Sequence, residues 1–146
     1  MTEDYVSFET AKLLKEKGFD WMVTRSFFEH DNCYAPCDPS EVPRKDAIAI
    51  PTLQMATKWI QEIFNIVIIP NYEYECDDTP WCYKIFKLGE NGKPERVVVK
   101  GVSYDKDDNP KEHIVGYRDY ERSYNDYSTK EEAIEEGIKY CLENLI

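Results

Sequence analysis

Basic residues are scarce in this sequence. The 146 residues hold 18 Lys and Arg against 29 Asp and Glu, a formal charge of −11 at pH 7 and a pI near 4.6. Proteins that grip phosphate backbones need clustered cations, and no basic cluster here exceeds Arg44-Lys45. The composition therefore predicts no nucleic-acid partner and no docking to anionic membrane. Long apolar runs are also missing. The most apolar stretch, Ile63 to Ile69, is interrupted by Asn65 and followed by Pro70, far short of the ~20 residues that span a bilayer. The N-terminus, Met1-Thr2-Glu3-Asp4-Tyr5, is acidic and lacks the basic and apolar regions of a signal peptide, so a cytosolic (cytoplasmic) chain is expected. Only two histidines occur, His30 and His113, with no nucleophile elbow and no glycine-rich phosphate loop, which removes the usual motif chemistry of enzymes.

What is present is a foldable chain. Apolar residues make up 42% and aromatics 14%, with 11 Tyr, well outside the composition of disordered segments. The length fits one domain over residues 1–146, and no repeat or linker divides it.

Local signals place three helices. Ser7 precedes Phe8 to Lys17, with Glu9 early, lysines late and Gly18 after the end, the pattern of an N-cap, a macrodipole complement and a left-handed stop. Pro51 and Thr52 open a second helix, whose apolar stripe is Leu53, Ala56, Ile60, Ile63 and Phe64, widened by Met55 and Trp59; this helix is expected to be the most buried. Ser128-Thr129-Lys130-Glu131 fits a capping box before a third helix bearing Ile134, Ile138, Cys141 and Leu145, flanked by Ala133, Gly137 and Leu142.

Strands are predicted over Trp21 to Phe28 and Ile66 to Ile69, then as a meander from Pro80 to Tyr124. Asn91-Gly92 and Asp107-Asp108-Asn109-Pro110 supply its turns. His30 to Asp46, with Pro36, Pro39 and Pro43, reads as a long irregular loop (about 30–46). The expected fold is α+β, a mainly antiparallel sheet with three helices on one face, in the order α-β-α-β-β-β-β-α.

From Pro51 onward this order is similar to the α-β-β-β-α arrangement of double-stranded-RNA-binding domains. The likeness is one of topology. Where those domains carry lysines at the start of the last helix, this chain has Lys130 followed by Glu131-Glu132 and Glu135-Glu136, so RNA binding is not carried over. Three stretches, Phe8 to Phe19, Pro51 to Ile60 and Ser128 to Ile138, resemble a family of small, mostly uncharacterised proteins from gut-bacterial genomes and their prophages. That resemblance implies a bacterial cytosol or a mobile element, where many small proteins act by binding host proteins. It implies no catalytic residue.

Four groups of residues could carry chemistry. His30, Cys33, Cys37, Cys76 and Cys82 supply enough soft ligands for a zinc site, although neither cysteine pair has the close knuckle spacing of a zinc finger; free thiols in loop and core are the alternative. Asp105-Lys106-Asp107-Asp108-Asn109 resembles half an EF-hand loop but meets Pro110 and Gly116 where Gly and Glu are needed, and reads as a turn. Glu73, Glu75, Asp77 and Asp78 form a carboxylate cluster suited to a cation or a basic partner, or to a charged edge strand. Tyr117, Tyr120, Tyr124 and Tyr127, interleaved with Arg118 and Arg122, have the amphipathic character of binding hot spots. With Trp81 and the Glu73 to Asp78 acids as neighbours, they make the expected surface for an unknown protein partner. The function expected is a non-enzymatic protein-interaction domain with no cofactor. A zinc-stabilised module and an acidic nucleic-acid mimic that inhibits a host enzyme are the alternatives.

Overall fold

The computed structural model describes residues 4–36, 47–74, 78–123 and 125–146. Among the described residues, three helices and eight antiparallel strands give an α+β chain in the expected order. Helix α1 (Phe8–Glu16) begins where Ser7 Oγ accepts from the Thr10 amide at 3.2 Å, and Gly18, at φ +93°, stands just past its end. Helix α2 (Leu53–Phe64) is capped by Thr52, whose hydroxyl accepts from the Met55 amide at 3.1 Å, and it stops at Asn65 in the left-handed region. Helix α3 (Lys130–Asn144) is capped by Thr129, not Ser128. The capping box is thus shifted by one residue: Thr129 Oγ1 accepts from the Glu132 amide, and Ser128 donates to the Glu132 carboxylate.

The strands form three small sheets. The first has β1 (Arg25–Phe28) between β2 (Cys33–Pro36) and β3 (Ala47–Ala49). Part of the expected irregular loop is therefore a hairpin, turning at Asn32 with φ +49°, a conformation Asn tolerates better than most residues. Residues 37–46 lie outside the described residues. The second sheet has β5 (Trp81–Lys87) between β4 (Ile66–Tyr72) and the two-residue β8 (Glu121–Arg122). The third is a ribbon of β6 (Val97–Tyr104) and β7 (Pro110–Arg118). The predicted Asn91-Gly92 turn is present, with Gly92 at φ +74° and a bridge between Leu88 and Pro94. It does not zip β5 to β6, because both long edges of β5 are already taken by β4 and β8.

Packing follows the two-residue period of the second sheet. Ile66 and Ile68 of β4 and Tyr83 and Ile85 of β5 point toward the helices and are buried. There α3 packs on both strands, α2 on β4, and α1 joins α3 to β3. Inside α2 the roles differ from the sequence expectation. Trp59 is 2% exposed and meets Phe19 and Phe64 edge-on at 5.3 and 5.2 Å, whereas Ile63 is 55% exposed. Helix α3 buries its face as fully as α2, through Ala133, Ile138, Cys141 and Leu142. Gly137 lets α3 approach the sheet: a Cβ there would stand 2.9 Å from Ile68 Cγ2 and 3.2 Å from Tyr83 Cγ.

Candidate interaction surface

On the face of the second sheet turned away from the helices, Cys82 lies opposite Asn71 and Lys84 lies opposite Arg122. The alternation that points Ile85 inward points these outward. Arg122 organises the group. Its guanidinium donates to Glu73 Oε2 at 2.7 Å and Oε1 at 3.3 Å, and to Asp126 Oδ1 at 3.0 Å. The hydrogen bond to Glu73 holds the guanidinium pKa above its ordinary value. Glu73, Cys82 and Asp126 bring one potential metal-ligand atom each within 4.8 Å of one another. Arg122 pairs with both carboxylates and offsets one of their two charges, so the arrangement serves as an ion-pair network that ties Glu73, just after β4, to β8 and the chain after it.

This grouping differs from the zinc set read from the sequence. Cys82 is fully buried; His30 and Cys33 are exposed on the β1–β2 hairpin. Among the described residues, no group of three potential ligand atoms contains either of them. Cys37 and Cys76 lie outside the described residues, as do Glu75 and Asp77 of the carboxylate cluster. Asp78 is exposed. The EF-hand-like segment is a turn: Asp105 Oδ1 accepts from the amides of Asp107 and Asn109, both at 2.9 Å. Cys141 is enclosed beneath α3, and burial, with the nearby Glu121 carboxylate, pushes its thiol up to about 12.

The tyrosines separate into supporting and exposed members. Tyr127 bridges to Trp81 through reciprocal backbone hydrogen bonds and stacks on Tyr83 with ring centroids 6.2 Å apart. Burial raises the phenol pKa of both Tyr83 and Tyr127. Trp81 packs edge-on against Tyr72. Tyr120 rests on Phe86, with Lys84 Nζ 4.5 Å and the Arg118 guanidinium 5.3 Å from its ring centre. Tyr124 lies outside the described residues. Of the three described, Tyr117 alone stands on the ribbon, 59% exposed beside Arg96.

The two strands and the Asp107 to Pro110 turn of the ribbon were expected from the sequence, but as part of one meander; that they form a separate sheet was not. Its strands pair with each other along their length, and among the described residues no other helix or strand packs substantially against either. On one face Val98, Lys100, Val102 and Tyr104 line up with Tyr117, Ile114 and Glu112. Between Val99 and Lys100 the register slips by one, leaving Val115 without an opposite residue. This β-bulge twists the ribbon, and Val115 and His113 lean over Gly101 on the other face. Val98, Val102, Tyr104, Ile114, Val115 and Tyr117 are all exposed, half of the twelve large apolar residues that are exposed among those described. The valine run that opens β6 was the available signal, yet periodicity cannot say whether a strand is covered.

Comparison with models of known protein families, with curated protein sequences and with solved structures gives no match to this chain.

Proposed function

We propose that this chain is a non-enzymatic protein-interaction domain whose binding surface is the β6–β7 ribbon, with Tyr117 at one end of its apolar face. The observation that carries this reading is the exposure of Val102, Tyr104, Ile114 and Tyr117 on a ribbon against which, among the described residues, no other helix or strand packs substantially. Isolated two-stranded ribbons are marginal in water, and contiguous exposed apolar patches mark binding surfaces. Arg96 and Arg118 near Tyr117 and Tyr120 add the residue types enriched at hot spots. The histidines are placed apart, His30 on the β1–β2 hairpin and His113 on the ribbon, both exposed.

Affinity capture from the source cell tests this, using the tagged full-length chain and a Val102→Lys/Ile114→Lys variant. Both positions are exposed, so the variant is expected to keep its folding stability to within about 0.5 kcal/mol. A specific protein retained by the wild type and lost by the variant is the expected result. Equal retention by both would remove the ribbon as the binding surface.

A further inference from the structure

We infer that the partner seated on the ribbon is a second copy of this chain, packed face to face through Val98, Val102, Tyr104, Ile114 and Tyr117. This rests on the reading of the ribbon as a binding surface and adds the identity of what covers it.

The first argument is charge. Between Val97 and Arg118 four bases (Lys100, Lys106, Lys111, Arg118) meet four acids (Asp105, Asp107, Asp108, Glu112), so the ribbon is neutral and the whole charge of −11 belongs to the rest of the chain. Two copies repel each other through their acidic bodies, and the ribbon is a place where they can meet without that cost. A basic partner drawn in by the acidic body would find no net negative charge on this face.

The second argument is self-complementarity. Lys100 Nζ lies 3.7 Å from Glu112 Oε2 on the apolar face, and both side chains are mostly exposed. A two-fold contact uses the same patch twice, so Lys100 of each copy can meet Glu112 of the other while the flanking valine, isoleucine and tyrosine side chains interdigitate. A face holding one acid and one base among apolar residues matches itself.

Size sets the strength. Eight residues at about 3.3 Å each give a ribbon about 26 Å long. With a width of roughly 15 Å, two such faces bury on the order of 800 Å² in total, at the low end for protein contacts. The dimer is therefore weak and forms at concentrations of tens of micromolar or more. Salt acts on two terms: it weakens the two exposed Lys100–Glu112 contacts, each worth little, and screens the repulsion between two bodies of charge −11, which is the larger effect, so this dimer tightens as salt rises, whereas binding of a basic partner weakens.

Sedimentation equilibrium of the full chain tests the inference, from about 5 µM to about 1 mM and at low and high NaCl. The samples compared are the wild type, Lys100→Glu, Glu112→Lys and an equimolar mixture of the two variants. The wild type is expected to dimerise, several-fold more tightly at high salt. Each variant alone puts like charges across the two-fold and is expected to dimerise about tenfold more weakly. Their mixture restores opposite charges at both contacts and is expected to pair about as well as the wild type, which a folding defect could not produce. A wild type that is monomeric throughout, variants that associate as the wild type does, a mixture that fails to restore pairing, or a dimer that weakens with salt would each overturn the inference. A monomeric wild type leaves the ribbon reading to stand or fall by the capture experiment, where loss of a different protein from the Val102→Lys/Ile114→Lys variant would support it.

Discussion

Trp59→Ala is expected to cost about 4 kcal/mol of folding stability, the usual range for emptying a buried tryptophan site. The indole is almost wholly enclosed and sits between Phe19, in the segment just after α1, and Phe64, at the end of α2. Its removal leaves a cavity that two aromatic rings held at fixed angles cannot easily fill. For a chain of this length the loss corresponds to a fall in melting temperature of about 10 °C. Urea unfolding checks it, and the midpoint should drop with little change in slope. Ile63→Ala, one turn further along α2, is the control. That side chain is exposed, and its loss is expected to change stability by about 0.5 kcal/mol or less. Comparable losses from the two variants would mean that the face of α2 is wrongly assigned.

Gly137→Val is expected to cost about 3 kcal/mol, at the upper end of overpacking effects. The Cβ alone would come within 3.3 Å of Ile68 Cγ2 and of Tyr83 Cγ and Cβ. The two methyl groups beyond it have no space unless α3 moves off the sheet. Alanine is a less decisive test, because removing a mid-helix glycine also stabilises the helix by about 1 kcal/mol. Valine has much less of that compensation, since its branched Cβ crowds the preceding turn. Chemical denaturation of the purified variant gives the value; a stability equal to wild type would contradict the close packing of α3 on β4 and β5.

Features written in neighbouring residues were legible. Ser7 and Thr52 cap helices because a hydroxyl placed just before the first turn satisfies an amide there, and Asn65 and Gly18 stop them because both tolerate positive φ. Even the misplaced cap was a local ambiguity: Ser128 and Thr129 are adjacent hydroxyls, followed three residues later by Glu131 and Glu132, so either pair fits the same box. Strand pairing was less legible. A turn at Asn91-Gly92 says that the chain reverses, while β5 is held by β4 and β8 through partners up to about forty residues away. The alternation Trp81-Cys82-Tyr83 revealed two faces but not what fills the outer one. The Glu73–Arg122–Asp126 network joins Glu73 to a partner 49 residues away, and no spacing rule finds that link.

The expected tyrosine surface shows the same limit. Tyr117, Tyr120 and Tyr127 are neighbours in sequence, yet one is exposed on the ribbon, one rests on Phe86 and one stacks on Tyr83. Which rings are free depends on where β7 ends and β8 returns to the sheet.

On this reading the β6–β7 ribbon stands apart from the core and gains its stability when something covers it. Residue-resolved amide hydrogen exchange on the wild-type chain tests this most directly, at about 5 µM and again near 1 mM. At the lower concentration the ribbon amides from Val97 to Arg118 are expected to exchange at least a hundredfold faster than those of β4 and β5, which open only with the core. At the higher concentration the ribbon should become protected while β4 and β5 stay unchanged. Ribbon amides protected as strongly as β4 and β5 in the dilute protein would contradict the account.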